Sequence, residues 1–383
     1  MATRTAAATG PARPAAGAPR RGLVLGGGGM LGAAWTVGAL CAVEEATGRQ
    51  PGEADVLLGT SAGAILAALL AGGVRPEQLR DHQRGLPVTE GPLAGAAFDY
   101  DTAVGGALPP RPRAGIGSPG LLRHAVRHPR EYPLLTMVSA IAPHGRGSQA
   151  PVGELVRGLL GDGLLGDGPL GDGLPGSGGP PAGGSPLRVV AVDYRSGRRV
   201  VFGDPDAPAV PVPDAVMASC AIPGWFAPVR LDGSAYVDGG CWSATNADLM
   251  LGRGLDEVYV LAPMALRPAP RTASRSAPRP GRAGSPGRLR GGRDARAALR
   301  EWRERDRPRG VLAQLVSRYR RAVTRQLLRE AALLRAEGVR VRLLAPTPAD
   351  LAVMGPNMMD PARRGAVLES ALRTAREALG ARR

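Results

Sequence analysis

Ser61 is the residue of this chain whose surroundings most strongly suggest chemistry. It lies in Gly59-Thr60-Ser61-Ala62-Gly63, which fits the pattern G-x-S-x-G, between an apolar run and an Ala/Leu-rich stretch. In that pattern a serine stands on a sharp turn between a strand and a helix, with its hydroxyl exposed above the sheet. The helix N-terminus favours an anion that develops there. The alternative is a serine that only caps the helix, because Ser is a preferred N-cap residue.

A run of glycines upstream provides a second possible anion site. The run Gly26–Gly29 follows a short apolar segment and opens an apolar helix pattern. Its backbone N–H groups could stabilise an oxyanion, which favours a nucleophilic Ser61 over a simple cap. Gly27, Gly29 and Gly32 also fit the G-x-G-x-x-G of dinucleotide-binding turns. That alternative lacks the acidic residue expected about 20 residues further on, at the end of a second strand.

A serine nucleophile needs a base, and the chain offers carboxylates and histidines. Asp238 ends a short strand, before two glycines that allow close approach of the backbone. Asp232-Gly233 lies between two strand-like segments and predicts a hairpin turn, so we prefer Asp238 as the base. Taken alone, Asp238 would also suit a turn before glycine. A Ser-His-Asp triad would need a histidine after the serine. The four histidines lie in the irregular middle of the chain: His82, His124, His128 and His144.

Strands and helices alternate around these residues. Strand-like segments at 22–25 and 54–58 each lead into a Gly-containing turn and a helix pattern, at 31–45 and 62–71. Two such units predict an α/β fold with parallel strands. Further strands are predicted at 187–193, 198–202, 257–261 and 339–344, and further helices at 214–220, 310–337 and 361–379.

The predicted domain covers 21–383, with a tail before it and two insertions within it. Residues 1–20 are rich in Ala, Pro and Arg and lack the apolar region of a signal peptide, so they predict a flexible tail. Residues 161–185 and 266–308 are low-complexity segments that predict insertions. Gly-Asp-Gly recurs in the first of them, but its five-residue period does not fit the nonapeptide calcium-binding repeat, and we expect no metal there.

Composition restricts the class of partner and the compartment. All 49 Lys/Arg residues are arginine, the net charge is +16, and aromatic residues make up only 3%. Few aromatics and no nucleic-acid motif argue against a nucleic-acid partner, whereas the charge is compatible with peripheral contact with an anionic membrane. Three widely spaced cysteines (Cys41, Cys220 and Cys241) argue against a disulfide framework and for a reducing, cytoplasmic location. No stretch reaches the roughly 18 apolar residues of a membrane span.

Taken in order, these motifs resemble those of the patatin-like phospholipases. That family carries a Gly-Gly-Gly-x-Arg/Lys-Gly oxyanion loop, a G-x-S-x-G nucleophile and a later Asp-Gly-Gly/Ala, and uses a Ser–Asp dyad without histidine. Here the loop corresponds to 27–32, the nucleophile to Ser61 and the base to Asp238, and 218–224 also looks like a family segment. The resemblance implies a three-layer α/β/α fold with a mainly parallel central sheet. At the position where the family usually has Arg or Lys, this chain has Leu31.

We therefore expect a serine lipid acyl hydrolase of the phospholipase A, lysophospholipase or carboxylesterase type. Its substrate would be a lipid or acyl ester, and it would need neither a metal nor a cofactor. Because a carboxylate is a weak base unless burial raises its pKa, we expect the dyad to lie in an apolar pocket. The backbone N–H groups expected to hold the oxyanion are those of Gly27, Gly28, Gly29 and Ala62.

Two other classes of function stay open at this point. A patatin-like regulatory or lipid-binding protein would keep the fold with a weak or inactive site, and Leu31 favours it because a cation is missing from the loop. A different serine acyl enzyme, such as an acyltransferase, would need a catalytic histidine.

Overall fold

The computed structural model describes residues 19–96, 98–99, 110–128, 132–165, 185–267 and 311–380. The predicted tail and both predicted insertions lie mostly outside these ranges. Short parts of them are described and belong to the fold. Arg20 donates its backbone N–H to Asp256 and forms an ion pair with Asp55. Leu164–Leu165, inside the segment predicted as the first insertion, pairs antiparallel with Val210–Pro211.

Every predicted strand and helix is present, with ends that agree to within a few residues, and further strands and helices occur between them. The strands are β1 (Arg21–Leu25), β2 (Val56–Thr60), β3 (Leu164–Leu165), β4 (Leu187–Asp193), β5 (Arg199–Phe202), β6 (Val210–Pro211), β7 (Val229–Leu231), β8 (Ser234–Asp238), β9 (Glu257–Leu261) and β10 (Arg340–Leu344). The helices are α1 (Gly29–Thr47), α2 (Ala62–Ala71), α3 (Pro76–Gln83), α4 (Pro119–Arg127), α5 (Leu134–Ile141), α6 (Ala150–Leu160), α7 (Val212–Ser219), α8 (Val311–Ala336), α9 (Pro348–Met354) and α10 (Arg364–Leu379).

One large sheet forms the middle layer of the described residues. Its order is β10-β9-β1-β2-β4-β8-β7, and β5 pairs with β4 as well. The neighbours from β10 to β4 are parallel, whereas β5, β7 and β8 are joined by antiparallel pairings. Asp232 and Gly233 connect β7 to β8, and both have positive φ, as a type I′ hairpin turn requires. The predicted hairpin is confirmed.

Alternating side chains of the strands contact different helical layers. On β1, Leu23 and Leu25 belong to a core with residues of α1, α2, α7 and α10. Val24, between them, belongs to the opposite core, where Leu327 and Leu334 of α8 pack. This alternation is that of a sheet buried on both faces. The predicted three-layer α/β/α fold with a mainly parallel sheet is confirmed. No helix within the described ranges combines the length and apolar character needed to cross a bilayer.

Strand register brings the three predicted motifs to one edge of the sheet. Because β1 and β2 are parallel neighbours, the glycine loop after Leu25 and the turn after Thr60 emerge side by side. Strand β8 enters from the opposite end, yet Asp238 pairs with Ala191, next to the Val190 that pairs with Thr60. The carboxyl end of β8 therefore lies level with the carboxyl end of β2.

Candidate active site

Ser61 has a strained backbone conformation at the tip of its turn. Its φ is 54° and its ψ is −128°, a region that non-glycine residues rarely adopt. A side chain at Gly63 would collide with the backbone carbonyl of Leu25, so glycine is needed for the close approach of α2 to β1. The Ser61 N–H donates to Ser219 Oγ at 2.9 Å, and that hydroxyl donates to Val190 O at 2.6 Å. Ser219 thus fixes the strained turn from its own position on α7.

Asp238 is a buried carboxyl group next to Ser61. Only 5% of the residue is exposed. Burial raises its pKa to about 6, while hydrogen bonds with the Ser61 side chain and the Gly240 N–H act in the opposite direction. The Gly240 N–H donates to Oδ1 at 2.7 Å. At Gly239 a Cβ atom would lie 2.5 Å from Val190 O, so a glycine must follow the aspartate.

Asn246 connects the serine turn to the aspartate loop. Its Nδ2 donates to Thr60 Oγ1 at 3.1 Å, to Gly239 O at 3.3 Å and to Ser243 O at 2.7 Å. Thr60 immediately precedes Ser61, and Gly239 immediately follows Asp238. The fully buried amide therefore sets the spacing between the two candidate dyad residues.

Glu330 of α8 supports the segment that carries Asn246. Its buried carboxylate accepts hydrogen bonds from Ser243 Oγ and Thr245 Oγ1, each at 2.6 Å, and from the Ala247 N–H at 2.9 Å. Burial raises the pKa of Glu330, and these hydrogen bonds oppose that rise. A buried carboxylate with several donors is a rigid support, because each donor would otherwise be left unpaired.

The glycine loop supplies fewer free donors than the sequence predicts. Gly27 lies against Ser61, but its N–H donates to Ala244 O at 2.8 Å and is therefore engaged within the protein. The Gly28 N–H has no acceptor among the described residues. Gly29 and Ala62 are the first residues of α1 and α2, where N–H groups have no intrahelical partner. Gly28, Gly29 and Ala62 remain as candidate donors.

Leu31 does not face the site, although the loop motif has a cation at this position. Its side chain is completely buried in the core between the sheet and α10. Its N–H donates to Met358 O at 2.9 Å.

A different cation, Arg320 of α8, lies behind the loop. It is 4% exposed and donates to Pro263 O at 2.9 Å and to the sulfur of Met358 at 3.1 Å. Pro263 in turn packs against Gly28. No carboxylate pairs with Arg320 in the described part of the chain, and burial lowers its pKa to about 10. A buried, uncompensated positive charge therefore lies next to the residues that cover the loop.

Two largely apolar cavities meet at Ser61. The more enclosed one contains about 860 Å³ of space not filled by atoms, part of it continuous with solvent, and is lined by apolar residues of α1, α2, α3 and α6, with Phe98 and Phe226. The more open cleft contains about 1140 Å³ and includes Asp238, Gly28 and Trp225. Gly29, Ser61, Ile222 and Met359 line both cavities. The serine hydroxyl is thus accessible from two apolar spaces.

The four histidines are placed in different parts of the fold. His82, on α3, lines the enclosed cavity, and its Nε2 lies 3.1 Å from Ala96 O. His144 Nε2 lies 2.7 Å from Gly117 O, and His124 and His128 are exposed at α4. None of them is among the groups that act on the pKa of Asp238. The described ranges also contain no group of three or more His, Cys, Asp or Glu side chains that could hold a metal ion.

Comparison with known proteins identifies the family. Residues 23–251 match the family model of the patatin-like phospholipases, which is more than half of the chain. This chain belongs to the patatin-like phospholipase family. Its fold is also similar to that in the crystal structure of VipD from Legionella pneumophila, at 15% sequence identity and a TM-score of 0.40. That similarity covers 94% of this chain and 67% of the VipD chain.

Three residues that support the candidate site of this patatin-like chain could not be predicted from local sequence patterns. Asn246 lies in the matched region but follows the aspartate motif by eight positions, without a pattern of its own. Arg320 and Glu330 lie beyond the matched region, on a helix that reads as an ordinary amphipathic segment. The available signal was the spacing of α8, which places the buried Val323, Leu327 and Glu330 and the partly buried Tyr319 on one helical face.

Proposed function

We propose that this patatin-like protein hydrolyses lipid acyl esters, with Ser61 as the nucleophile and Asp238 as the general base. The observation that carries the proposal is the contact between the two side chains inside an apolar cleft. Burial keeps the carboxyl group basic enough to accept a proton near neutral pH, because it raises the pKa towards that of a useful base.

The reaction proceeds through an acyl-enzyme. Ser61 Oγ attacks the ester carbonyl carbon while its proton passes to the Asp238 carboxylate. Backbone N–H groups of Gly28, Gly29 and Ala62 stabilise the oxyanion. The tetrahedral intermediate then expels the alcohol, which takes the proton from Asp238. Water then attacks the acyl carbon while its proton passes to the same carboxylate, and that proton moves to Ser61 Oγ as the bond to the acyl group breaks and the fatty acid leaves.

The shapes of the two cavities support an ester with one acyl chain held deeply. The enclosed cavity is lined by Met30, Leu66, Leu69 and other apolar side chains, which suit an alkyl chain. The open cleft leaves room for the alcohol half of the ester, including a polar headgroup that stays near solvent. Burial of each CH₂ of an acyl chain contributes about 0.8 kcal/mol, so the enclosed cavity favours longer acyl chains over acetyl esters.

A fluorophosphonate probe and a panel of esters test the proposal. We expect the wild-type protein to be labelled and to hydrolyse p-nitrophenyl esters and phospholipids. Ser61→Ala should abolish labelling, and Asp238→Asn should slow both reactions at least 100-fold, the lower range of general-base catalysis. Ser148→Ala, at an exposed serine, is the matched control and should behave as wild type. Labelling that survives Ser61→Ala would disprove the assignment.

The second candidate is a patatin-like protein that binds lipid without turning it over. The burial of Leu31 in the core favours it, because the loop itself then carries no cation. In that case a fluorescent fatty acid would bind in the enclosed cavity, while neither the probe nor any ester would react with Ser61.

A further inference from the structure

Helix α5 has its polar and apolar faces reversed. Thr136 and Ser139 are buried: Thr136 Oγ1 donates to Cys241 O at 2.7 Å, and Ser139 Oγ donates to Thr136 O at 2.7 Å. Leu135, Val138 and Ile141, at spacings of three residues, are exposed instead. Surface helices normally bury their apolar stripe, so an apolar stripe that faces outward indicates an interaction surface.

Exposed aliphatic side chains are concentrated around this helix. The described residues contain nine large exposed hydrophobic side chains, and five of them fall between positions 116 and 141. Two lie next to α5: Ile116, in a loop that is hydrogen-bonded to the end of α5 through Ser118 N–H and Ala140 O, and Val126 on α4, which packs against α5. Single exposed aliphatic residues are ordinary, but a cluster of this kind marks an interaction surface.

The same region is strongly basic. Residues 110–128 and 132–149 contain no Asp or Glu. They carry five exposed arginines: Arg111, Arg113, Arg123, Arg127 and Arg146. Within the described ranges none of these side chains forms an ion pair. Exposed arginines in the same segments as exposed aliphatic residues complement a surface that is anionic at its boundary and apolar beneath it.

This surface adjoins the candidate active site. Leu135 and Val138 line the open cleft together with Trp225 and the dyad residues. The buried side of α5 contacts the Gly239–Cys241 turn, directly after Asp238. A lipid that leaves a bilayer at this surface would therefore enter the cleft without crossing open water.

We propose that the α4–α5 face, formed by Ile116, Val126, Leu135, Val138, Ile141 and the five arginines, binds the surface of an anionic phospholipid bilayer. The proposal rests on the proposed lipid substrate and adds the surface from which that substrate is taken. The aliphatic side chains insert at the level of the headgroups, and the arginines pair with anionic lipid phosphates. The cleft then faces the membrane.

Sedimentation with sucrose-loaded vesicles tests the binding without turnover if every variant carries Ser61→Ala. We expect binding to vesicles that contain phosphatidylglycerol to be much stronger than to pure phosphatidylcholine. Removing two arginines by Arg123→Ser and Arg127→Ser should weaken the binding to anionic vesicles about 25-fold, at about fivefold per arginine. Ile141→Asp should weaken it on the order of tenfold, because it removes an inserted side chain and adds a repelled charge.

Matched controls come from α8. Arg325→Ser with Arg329→Ser removes the same charge at the same helical spacing, and Leu333→Asp replaces an aliphatic residue of similar exposure (52% against 57% for Ile141). These controls should bind vesicles as the Ser61→Ala parent does. If the control variants lost as much vesicle binding as the variants of the α4–α5 face, binding would depend only on net charge and the proposal would be overturned. Absence of vesicle binding by the parent would overturn it too, as would self-association that Ile141→Asp abolishes, which would assign the face to a second copy.

Activity measured on proteins that keep Ser61 separates this proposal from the proposed function. Ile141→Asp should retain hydrolysis of p-nitrophenyl butyrate, a water-soluble ester, and lose most hydrolysis of lipid in anionic vesicles. Vesicle binding without any ester hydrolysis would support the membrane-binding face and refute the proposed hydrolase activity. If Ile141→Asp hydrolysed lipid in anionic vesicles as fast as the wild type does, the membrane-binding face would be refuted and the proposed hydrolase activity would stand.

Discussion

At the scale of the residue, burial raises the pKa of Asp238 and so suits this carboxyl group to the proposed role of base for Ser61. Its pKa is raised to about 6 by burial, against opposing hydrogen bonds from Ser61 and the Gly240 N–H. Only the ionised carboxylate accepts the proton of Ser61. We therefore expect kcat/KM for a soluble ester to rise with pH through a midpoint near pH 6 and to reach a plateau about one pH unit higher. A pH–rate profile with its midpoint near 4, the value of an ordinary aspartate, would contradict this assignment.

The same burial should lower the free energy of unfolding at the pH values where Asp238 is ionised. A carboxyl group whose pKa is higher in the folded than in the unfolded state favours folding at low pH and loses that advantage as pH rises through the folded pKa. Asp238→Asn should therefore match the wild type near pH 4 and become more stable than it above about pH 6, by up to about 3 kcal/mol. Urea unfolding of both proteins across this range measures the difference. A constant difference at all pH values would contradict the raised pKa.

Asn246 gives a second prediction at this scale. Asn246→Ala would leave the Thr60 hydroxyl and the Gly239 carbonyl without their shared donor, and buried unpaired groups cost about 1–3 kcal/mol each. We expect lower stability together with a lower kcat, because the distance between Ser61 and Asp238 is no longer fixed. Thr374→Ala, which removes a buried hydroxyl bound to Asp350, is the control: it should lower stability without lowering kcat in the folded protein.

At the scale of the element, α8 carries a positive charge near the glycine loop, whereas the loop itself has Leu31 at the position of the family's cation. Arg320 brings a buried positive charge to Pro263 and Met358, the residues that cover Gly28 and Leu31. In Arg320→Met the volume is kept and the charge is lost, so we expect kcat to fall while KM changes little. Arg320→Lys should recover part of kcat. Equal losses in the methionine and lysine variants would indicate a purely structural role, since lysine cannot reproduce the fork of the guanidinium.

The elements also show which information is local in the sequence. The strand–turn–helix units at Ser61 and at the glycine loop follow from apolar runs and flanking glycines, and the structure places both as predicted. The role of Gly27 could not be read in this way, because its N–H is taken by Ala244, more than 200 positions away. Arg320 and Glu330 were missed for the same reason. Burial of a charge depends on contacts across the chain, which a local pattern does not record.

At the scale of the whole molecule, the described residues after 311 complete the site and the core. Strand β10 pairs in parallel with β9, α10 packs along α1, and α8 contributes Arg320 and Glu330. We expect separately expressed chains 1–267 and 311–383 to associate and to restore fluorophosphonate labelling of Ser61. Leu327→Asp in the shorter chain should prevent both, because Leu327 is fully buried in the core beneath α8. Labelling of 1–267 alone would show that α8 is dispensable for the site.

The meeting of two cavities at Ser61 would also give the proposed hydrolysis a direction. If the acyl chain occupies the enclosed side and the alcohol half leaves through the open cleft, the attacking water must arrive by the route that the alcohol has vacated. Departure of the first product and arrival of the second reactant then share one passage. At a bilayer surface this passage faces lipid, and small alcohols present there would compete with water for the acyl group, which would turn part of the hydrolysis into transesterification.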